Sequence, residues 1–192
     1  STPLFKIEGW DDWRRQRGRI KLPAAPAAAA GQGTGLRGAY FDNRDWEGEP
    51  ALTREDARIW FEMEPNLTGG MIPATWGEGP PAEGLPADNF SVRWTGEIEP
   101  RFSEDYQLIV ESDVSSEVRV WLGDRLIIDD DGTRRPRGYR FGNGSFRCRR
   151  NHSPSLSLEA ARRVPLRIDY RHGEGKAGIH LMWQSRTQDR QH

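Results

Sequence analysis

Short segments in which apolar and polar residues alternate recur along most of this chain. The clearest covers residues 90–99, where Phe90, Val92 and Trp94 alternate with polar neighbours. Alternation with a period of two is typical of a β-strand that buries one face. The same criterion predicts strands at 36–42, 57–63, 90–99, 105–111, 117–122, 125–129, 165–170 and 178–184. Many short strands separated by turn residues indicate an all-β fold, an antiparallel β-sandwich.

Turn and breaker residues divide these strands. Gly123–Asp124, between two apolar strands, predicts a tight hairpin because glycine adopts a positive φ without steric cost. Residues 64–88 are rich in proline and glycine and predict a long loop, and residues 130–154 predict a second long insertion. Loops of this length in a compact domain tend to be functional or disordered. One helix fits the pattern at either 53–58 or 156–163.

The first 34 residues differ in character from the rest. Residues 1–22 contain apolar residues that fit neither period, followed by an arginine-rich run, and residues 23–34 are a proline-, alanine- and glycine-rich linker. We therefore predict an arm and linker over 1–34, a β-sandwich domain over 35–186 and a tail over 187–192. The arm is expected to dock on this domain, on a preceding domain or on a second copy, which would mean self-association.

Composition restricts the classes of partner. The 28 Lys and Arg residues and 29 Asp and Glu residues give a net charge of −1, so no excess of positive charge favours nucleic acid. No apolar run approaches the roughly 20 residues that span a bilayer, and no signal peptide opens the chain.

Because the chain begins at Ser1, a processed chain or an excised fragment is expected, and the cellular compartment stays open. Cys148 is the single cysteine and excludes an internal disulfide.

Two features allow two interpretations each. Arginines cluster between residues 134 and 150, where they would either bind phosphate or sulfated sugar or form a solvated loop paired with acids 129–131; we favour the solvated loop. Tryptophan either stacks on sugars or fills sandwich cores. The candidates for an exposed sugar-stacking platform lie in irregular stretches and are Trp10, Trp46 and Trp76. The tryptophans expected in the core lie on predicted strands and are Trp60, Trp94, Trp121 and Trp183.

An ordered set of motifs extends over most of the chain. Its members are GLRGAYFDN at 35–43, DNFSVRWTG at 88–96, WTGEI followed by Pro100, the strand 106–112, RVWLGDRLIID at 119–129, the strand 164–170 and the closing strand 177–183. In this order the motifs resemble the PA14 family, a β-sandwich module of adhesins, glycosidases and toxin pro-segments. The resemblance implies a non-catalytic, lectin-like carbohydrate-binding module of a secreted or cell-surface protein, with long loops around its site.

The resemblance also implies a site in which calcium assists sugar binding. In the family, two consecutive aspartates in one loop and an asparagine in a second loop hold the ion, and sugar hydroxyls complete its shell of oxygen ligands. Here Asp113 matches the first aspartate, Val114 replaces the second, and His172 falls near the asparagine position. Glu174 offers another carboxylate. The expected metal ligands are therefore Asp113 and Glu174, although the loss of two side-chain ligands argues against calcium.

The leading hypothesis is recognition of glycans or polysaccharide at the loop end formed by 111–116 and 171–178. The carbohydrate-binding residues expected there are Asp113, Glu174, His172 and Trp76. The alternative is a structural or assembly module that has lost its ligand site and makes protein contacts through the arm. A third hypothesis is an accessory module of a catalytic domain. No zinc, phosphate-loop or nucleophile motif is present, so no catalytic residue is expected.

Overall fold

The computed structural model describes residues 5–6, 19–20, 35–61, 76, 79–133, 139–141 and 146–186, and the statements below concern these residues. They form strands and no helix, so no helix that could cross a bilayer lies among them. The strands are β1 Phe5–Lys6, β2 Arg19–Ile20, β3 Leu36–Phe41, β4 Leu52–Asp56, β5 Trp60–Phe61, β6 Ser91–Ile98, β7 Glu104–Asp113, β8 Glu117–Leu122, β9 Arg125–Asp130, β10 Tyr139–Phe141, β11 Phe146–His152, β12 Leu156–Leu158, β13 Val164–Arg171 and β14 Ile179–Ser185.

Two antiparallel sheets make up the domain. The first has the strand order β4-β3-β6-β13-β8-β9, and the second has the order β10-β11-β7-β14-β5, with β12 also paired to β7. Within the described part of the chain, strands β1 and β2 pair only with each other. Strands that follow one another in the sequence often lie in different sheets, as β6 and β7 do. The connections between such strands join the two sheets covalently, in addition to the shared hydrophobic core. The all-β sandwich predicted from the alternating pattern is confirmed.

Alternation along each strand builds the core between the sheets. On β6, Val92, Trp94 and Ile98 are fully buried, while the residues between them are partly exposed. Because successive side chains of a strand point to opposite faces, one set of positions meets the second sheet and the other forms an outer face. The largest fully buried side chains are Trp94, Trp183, Tyr40, Tyr106, Tyr170, Phe61 and Phe90.

The predicted hairpin at Gly123 is confirmed. Gly123 has a φ of 58° and joins β8 to β9, which pair antiparallel. Its backbone N–H also donates to the Pro165 carbonyl oxygen at 2.7 Å, which ties the turn to β13. A side chain at this φ would be strained, so glycine is the residue that this turn requires.

The predicted helices are wrong. The segment that fits a helix at 53–58 mostly forms β4, and the segment at 156–163 begins as β12 and continues into a turn. Both strands are short and lie beside longer ones, β4 on β3 and β12 on β7. Backbone pairing with a neighbouring strand decides the conformation of both segments. Local helix propensity contains no information about this pairing.

The insertion predicted at 130–154 contains two strands, β10 and β11, rather than one long loop. Strand β11 pairs with β7 over five residue pairs and extends the second sheet. The predicted loop at 64–88 lies partly outside the described residues, as do most of the arm and linker at 1–34 and the tail at 187–192. Trp10 also lies outside them.

Candidate functional site

The two loops predicted to form a site meet at one end of the sandwich. We call this region the apex and define it as residues 113–116 and 172–178. Two backbone hydrogen bonds join its halves, from Asp113 N–H to the Gly178 carbonyl oxygen at 3.1 Å and from Gly173 N–H to the Ser115 carbonyl oxygen at 3.1 Å. The apex is therefore closed by main-chain contacts before any side chain is considered.

Asp113 organises the apex from the inside. Its Oδ1 accepts from the backbone N–H of Ser115 at 3.0 Å and from the Ser115 hydroxyl at 2.8 Å, the geometry of an Asx turn. Its Oδ2 accepts from the hydroxyls of Ser116 and Tyr170, the latter at 2.7 Å, and from Gly178 N–H at 3.2 Å. The side chain is 1% exposed. These contacts give Asp113 a turn-forming role.

His172 lies beside this carboxylate and is also fully buried. Its Nδ1 lies 3.4 Å from Asp113 Oδ1, and its Nε2 lies 3.1 Å from the Gly175 carbonyl oxygen. The ring packs against Phe90 with centroids 5.2 Å apart. His172 therefore bridges the two halves of the apex, and each ring nitrogen faces an oxygen of the protein.

The hydrogen bonds set the ionisation of this cluster. Burial alone would raise the pKa of Asp113, but hydrogen bonding and the charge interaction with His172, with bonds from Ser116 and Tyr170, outweigh burial and lower it. Burial raises the pKa of Tyr170 well above its usual value, and the neighbouring charge of Asp113 adds to this shift. The arrangement is an ionised carboxylate surrounded by neutral or positive donors.

A buried arginine holds the apex from the side. Arg149, on β11, donates from Nε to Asp130 Oδ2 at 2.8 Å, and the two side chains are 4% and 0% exposed. Its Nη1 donates to the carbonyl oxygens of Val114 at 2.7 Å and Gly132 at 3.2 Å, and its Nη2 donates to that of Ser116. One guanidinium thus gathers a carboxylate and three main-chain carbonyl oxygens.

Sequence reasoning missed this arginine. It placed Arg149 in a solvated loop, whereas Arg149 and Asn151 lie on the inner face of β11 and both contact Asp130. The signal available in the sequence was the alternation of residues 146–152, which was hidden because the inward positions are themselves polar. Asp130, one of the acids 129–131 expected to pair with a solvated loop, is fully buried.

The residues of the apex do not fit a calcium ion. The ion needs several oxygens with free lone pairs, yet the Asp113 oxygens are saturated by donors of the chain itself. Val114 is 42% exposed and offers only its carbonyl oxygen, which Arg149 binds. No group of three or more His, Cys, Asp or Glu side chains that could hold a metal occurs among the described residues.

The predicted sugar contacts divide into buried and exposed residues. Asp113 and His172 are buried, so the structure does not support a direct contact of either side chain with a sugar. Glu174 is exposed at the apex and stays a predicted contact. Trp76 is 5% exposed and stacks on Phe61 at 4.2 Å between ring centroids, so it is a core residue and not a platform.

Two tryptophans that were expected in the core are more exposed than predicted. Trp94 and Trp183 are buried as predicted, but Trp60 and Trp121 are only partly buried. Trp121 follows Val120, whose side chain faces the core, so Trp121 faces outward on the first sheet. Trp46, predicted as an exposed platform, is partly exposed above the same sheet, where its Nε1 donates to the Val92 carbonyl oxygen at 3.3 Å.

Glu111, which precedes the apex on β7, belongs to a separate cluster on the second sheet. Its carboxylate pairs with Arg150 and lies 3.5 Å from His180 Nδ1. The His180 ring stacks on Trp60 with centroids 4.2 Å apart. Burial alone would raise the pKa of Glu111, but contacts with His180 and Arg150 lower it. This carboxylate is therefore committed to the sheet and does not add a ligand to the apex.

The chain is similar to a known domain family and to a curated protein. The family described as PA14 domain matches residues 32–191 of the chain. The anti-sigma-I factor RsgI3 of Acetivibrio thermocellus is 31% identical over 161 residues, which are 84% of this chain and 20% of that protein. The chain therefore spans about a fifth of the length of this curated relative.

Solved structures agree with the fold. An anti-sigma factor domain-containing protein from Clostridium clariflavum is 31% identical, with a TM-score of 0.60 over 80% of this chain and 42% of that one. A β-glucosidase from Kluyveromyces marxianus in complex with glucose is 17% identical, with a TM-score of 0.63 over 97% of this chain and 20% of that one. The second likeness concerns the fold alone.

Proposed function

This chain belongs to the PA14 domain family, and from that premise we propose that it is the non-catalytic carbohydrate-recognition module of a larger sensing protein. The relatives named anti-sigma factors support the sensing role, because the chain matches a fraction of each of them. A domain of this size within a longer protein would bind the ligand while other domains transmit the signal. An extracellular or cell-surface location follows from this proposal, since polysaccharides are met there.

One observation carries the choice of recognition over catalysis. The buried polar groups of the apex are closed on one another, whereas the outer face of the first sheet presents two partly exposed tryptophans, Trp46 and Trp121, among charged side chains. Catalysis needs an acid, base or nucleophile that can reach a substrate, and Asp113 and His172 are too buried to serve. Aromatic rings flanked by polar groups suit binding without chemistry.

The same observation bears on calcium. Because the apex carboxylate already accepts hydrogen bonds from several donors of the chain, we propose that glycan binding by this module does not require the ion. Exposed Glu174 would then act, if the apex touches a glycan, as a hydrogen-bond acceptor for hydroxyl groups rather than as a metal ligand. Self-association through residues 1–22 stays a separate prediction.

Affinity electrophoresis of the whole chain tests the proposal. The protein is run through native gels that contain neutral or acidic polysaccharides, once with EDTA and once with millimolar calcium. We expect retardation by at least one polysaccharide that is the same with EDTA as with calcium. Migration unaffected by every polysaccharide would contradict carbohydrate recognition, and retardation that appears only with calcium would contradict the metal-independent site.

A further inference from the structure

The outer face of the first sheet carries a row of side chains whose arrangement is fixed by neighbouring strands. In register, Trp121 on β8 lies opposite Arg167 on β13, and Asp169 on β13 lies opposite Arg93 on β6. Arg167 and Asp169 are two residues apart, so they share a face of the sheet. With Trp46, which lies above β6, these residues form what we call the tryptophan–arginine face: Trp46, Arg93, Trp121, Arg167 and Asp169.

Asp169 holds the two arginines rigidly. Its Oδ1 accepts from Arg93 Nε at 2.8 Å and from Arg167 Nε at 2.9 Å, and its Oδ2 accepts from the Nη2 groups of the same residues at 2.8 and 2.5 Å. Paired bonds of this kind fix the plane of a guanidinium as well as its position. The carboxylate is 5% exposed, whereas the Arg93 and Arg167 side chains are 33% and 43% exposed.

This trio has an unmatched positive charge. Two guanidinium groups share one carboxylate, and neither arginine makes another ion pair among the described residues. Burial alone would raise the pKa of Asp169, but hydrogen bonds from Arg167 and Arg93 outweigh burial and lower it, so the carboxylate stays charged near neutral pH. The Nη1 groups of both arginines remain as donors with no hydrogen bond recorded in the described part of the chain.

The tryptophans are placed by contacts with the same cations. The Arg167 guanidinium carbon lies 4.5 Å from the centroid of the Trp121 ring, and that of Arg93 lies 5.4 Å from the Trp46 ring. Trp46 has a φ of 56°, a region that bulky residues rarely adopt. Backbone strain of this kind costs on the order of 1–3 kcal/mol and persists where the surroundings impose it, often at binding sites.

We propose that the tryptophan–arginine face binds an acidic polysaccharide, a chain built from uronic-acid units. This inference rests on the proposed carbohydrate recognition and names its site and ligand class. A sheet face suits an extended chain, the two rings offer stacking surfaces for sugar units, and the unmatched charge of the trio attracts a carboxylate. Guanidinium groups held in a fixed plane match carboxylate geometry, which explains why arginine rather than lysine is present.

The experiment compares the whole chain with variants in gels that contain EDTA and either a polyuronate (alginate or polygalacturonate) or neutral hydroxyethylcellulose. The variants are Trp121→Ala and Arg167→Gln, and the matched control is Arg162→Gln. Arg162 is 68% exposed and pairs only with Glu159 among the described residues, so its loss changes charge without touching the face. Urea midpoints of all variants check folding, and Arg167→Gln keeps the test valid if Trp121→Ala unfolds.

We expect retardation of the unmodified chain by a polyuronate, weakened by salt because the attraction is between exposed charges. Loss of either face residue should lower the affinity by about tenfold or more, as for aromatic and arginine residues at the centre of an interface, and the control should not change it. Unchanged binding by both variants would overturn this site while leaving carbohydrate recognition intact. Retardation by the neutral polymer alone, or no retardation by a polyuronate, would overturn the acidic ligand, whereas the proposed function fails only if no polysaccharide of the wider panel retards the chain with EDTA or with calcium.

Discussion

Replacing Arg149 by methionine should destabilise the domain strongly. The substitution keeps an unbranched side chain of comparable length but removes the charge that pairs with Asp130, whose side chain is 0% exposed. It also leaves the carbonyl oxygens of Val114, Ser116 and Gly132 without this donor. Breaking a buried ion pair from one side costs about 3–5 kcal/mol, mainly because the remaining charge stays buried without compensation.

Two contacts limit the loss. Asn151 Nδ2 donates to Asp130 Oδ2 at 2.7 Å, and Gly132 N–H donates to Oδ1 at 3.1 Å, so the carboxylate keeps part of its solvation in the variant. We therefore expect a decrease near the lower end of that range, roughly 3 kcal/mol. For a domain of about 150 residues this corresponds to a melting temperature lower by roughly 6–12 °C.

The neighbouring pair provides a matched control. Arg119 donates to Asp129 at 2.9 Å on the surface, with side chains 45% and 51% exposed. Arg119→Met should change the free energy of unfolding by less than about 1 kcal/mol, because an exposed pair is solvated and screened. Urea unfolding followed by tryptophan fluorescence gives both values. Equal effects of the two substitutions would refute the conclusion that Arg149 carries a buried, structural charge.

Three further predictions follow from buried groups. Folding lowers the pKa of Asp113, so its ionised form stabilises the protein at pH values above the pKa of an unfolded aspartate, about 3.9. This stabilisation should be lost as the pH falls below about 3.9 and through the lower pKa of the folded state. Asp113→Asn should therefore flatten the acid side of a plot of urea midpoint against pH. Burial and the charge of Glu111 raise the pKa of Cys148 to about 12, so its thiol should resist Ellman's reagent in the native protein and react once urea unfolds it; rapid native labelling would contradict this. A Cβ at Gly38 would lie 2.6 Å from Asp56 Oδ2 and 2.9 Å from Trp94 Nε1, so Gly38→Ala should lower stability by roughly 1–3 kcal/mol, and an unchanged thermal midpoint would show that this contact can relax.

The sequence predicts strands well where one face is apolar. Residues 90–99 and 117–122 alternate cleanly, and both appear as β6 and β8 with almost the predicted bounds. The hairpin at Gly123 follows from the same local chemistry. In these segments the information lies within a few neighbouring residues, because the pattern and the turn residue both act locally.

Strand β11 was missed for a physical reason. Its inward positions, Arg149 and Asn151, are polar, so the segment lacks the apolar alternation by which a strand is recognised. Their burial depends on Asp130, which lies 19 residues away from Arg149 and becomes its partner only after the sheets assemble. Pairing between distant polar residues cannot be read from periodicity.

The tryptophans show the same limit. Trp76 and Trp46 both lie outside strands, yet Trp76 packs against Phe61 in the core and Trp46 lies on an outer face. Trp121 lies on a strand but points outward, since it occupies the position next to buried Val120. Exposure of a large side chain depends on which face of the sheet it occupies and on what covers that face, so the sequence alone could not predict which tryptophans are exposed.

The family resemblance directed attention to the apex, and the structure explains why Val114 can replace an acidic ligand there. A metal in such a position would bring together carboxylate and carbonyl oxygens from separate loops. Here Arg149 gathers the carbonyl oxygens of Val114 and Ser116, and His172 bridges Asp113 to the Gly175 carbonyl oxygen. Because side chains of the chain itself satisfy these oxygens, the loops keep their arrangement without an ion. The apex thereby contributes to stability, and the binding surface that we propose, the tryptophan–arginine face, is held by ion pairs and hydrogen bonds of the chain rather than by a metal.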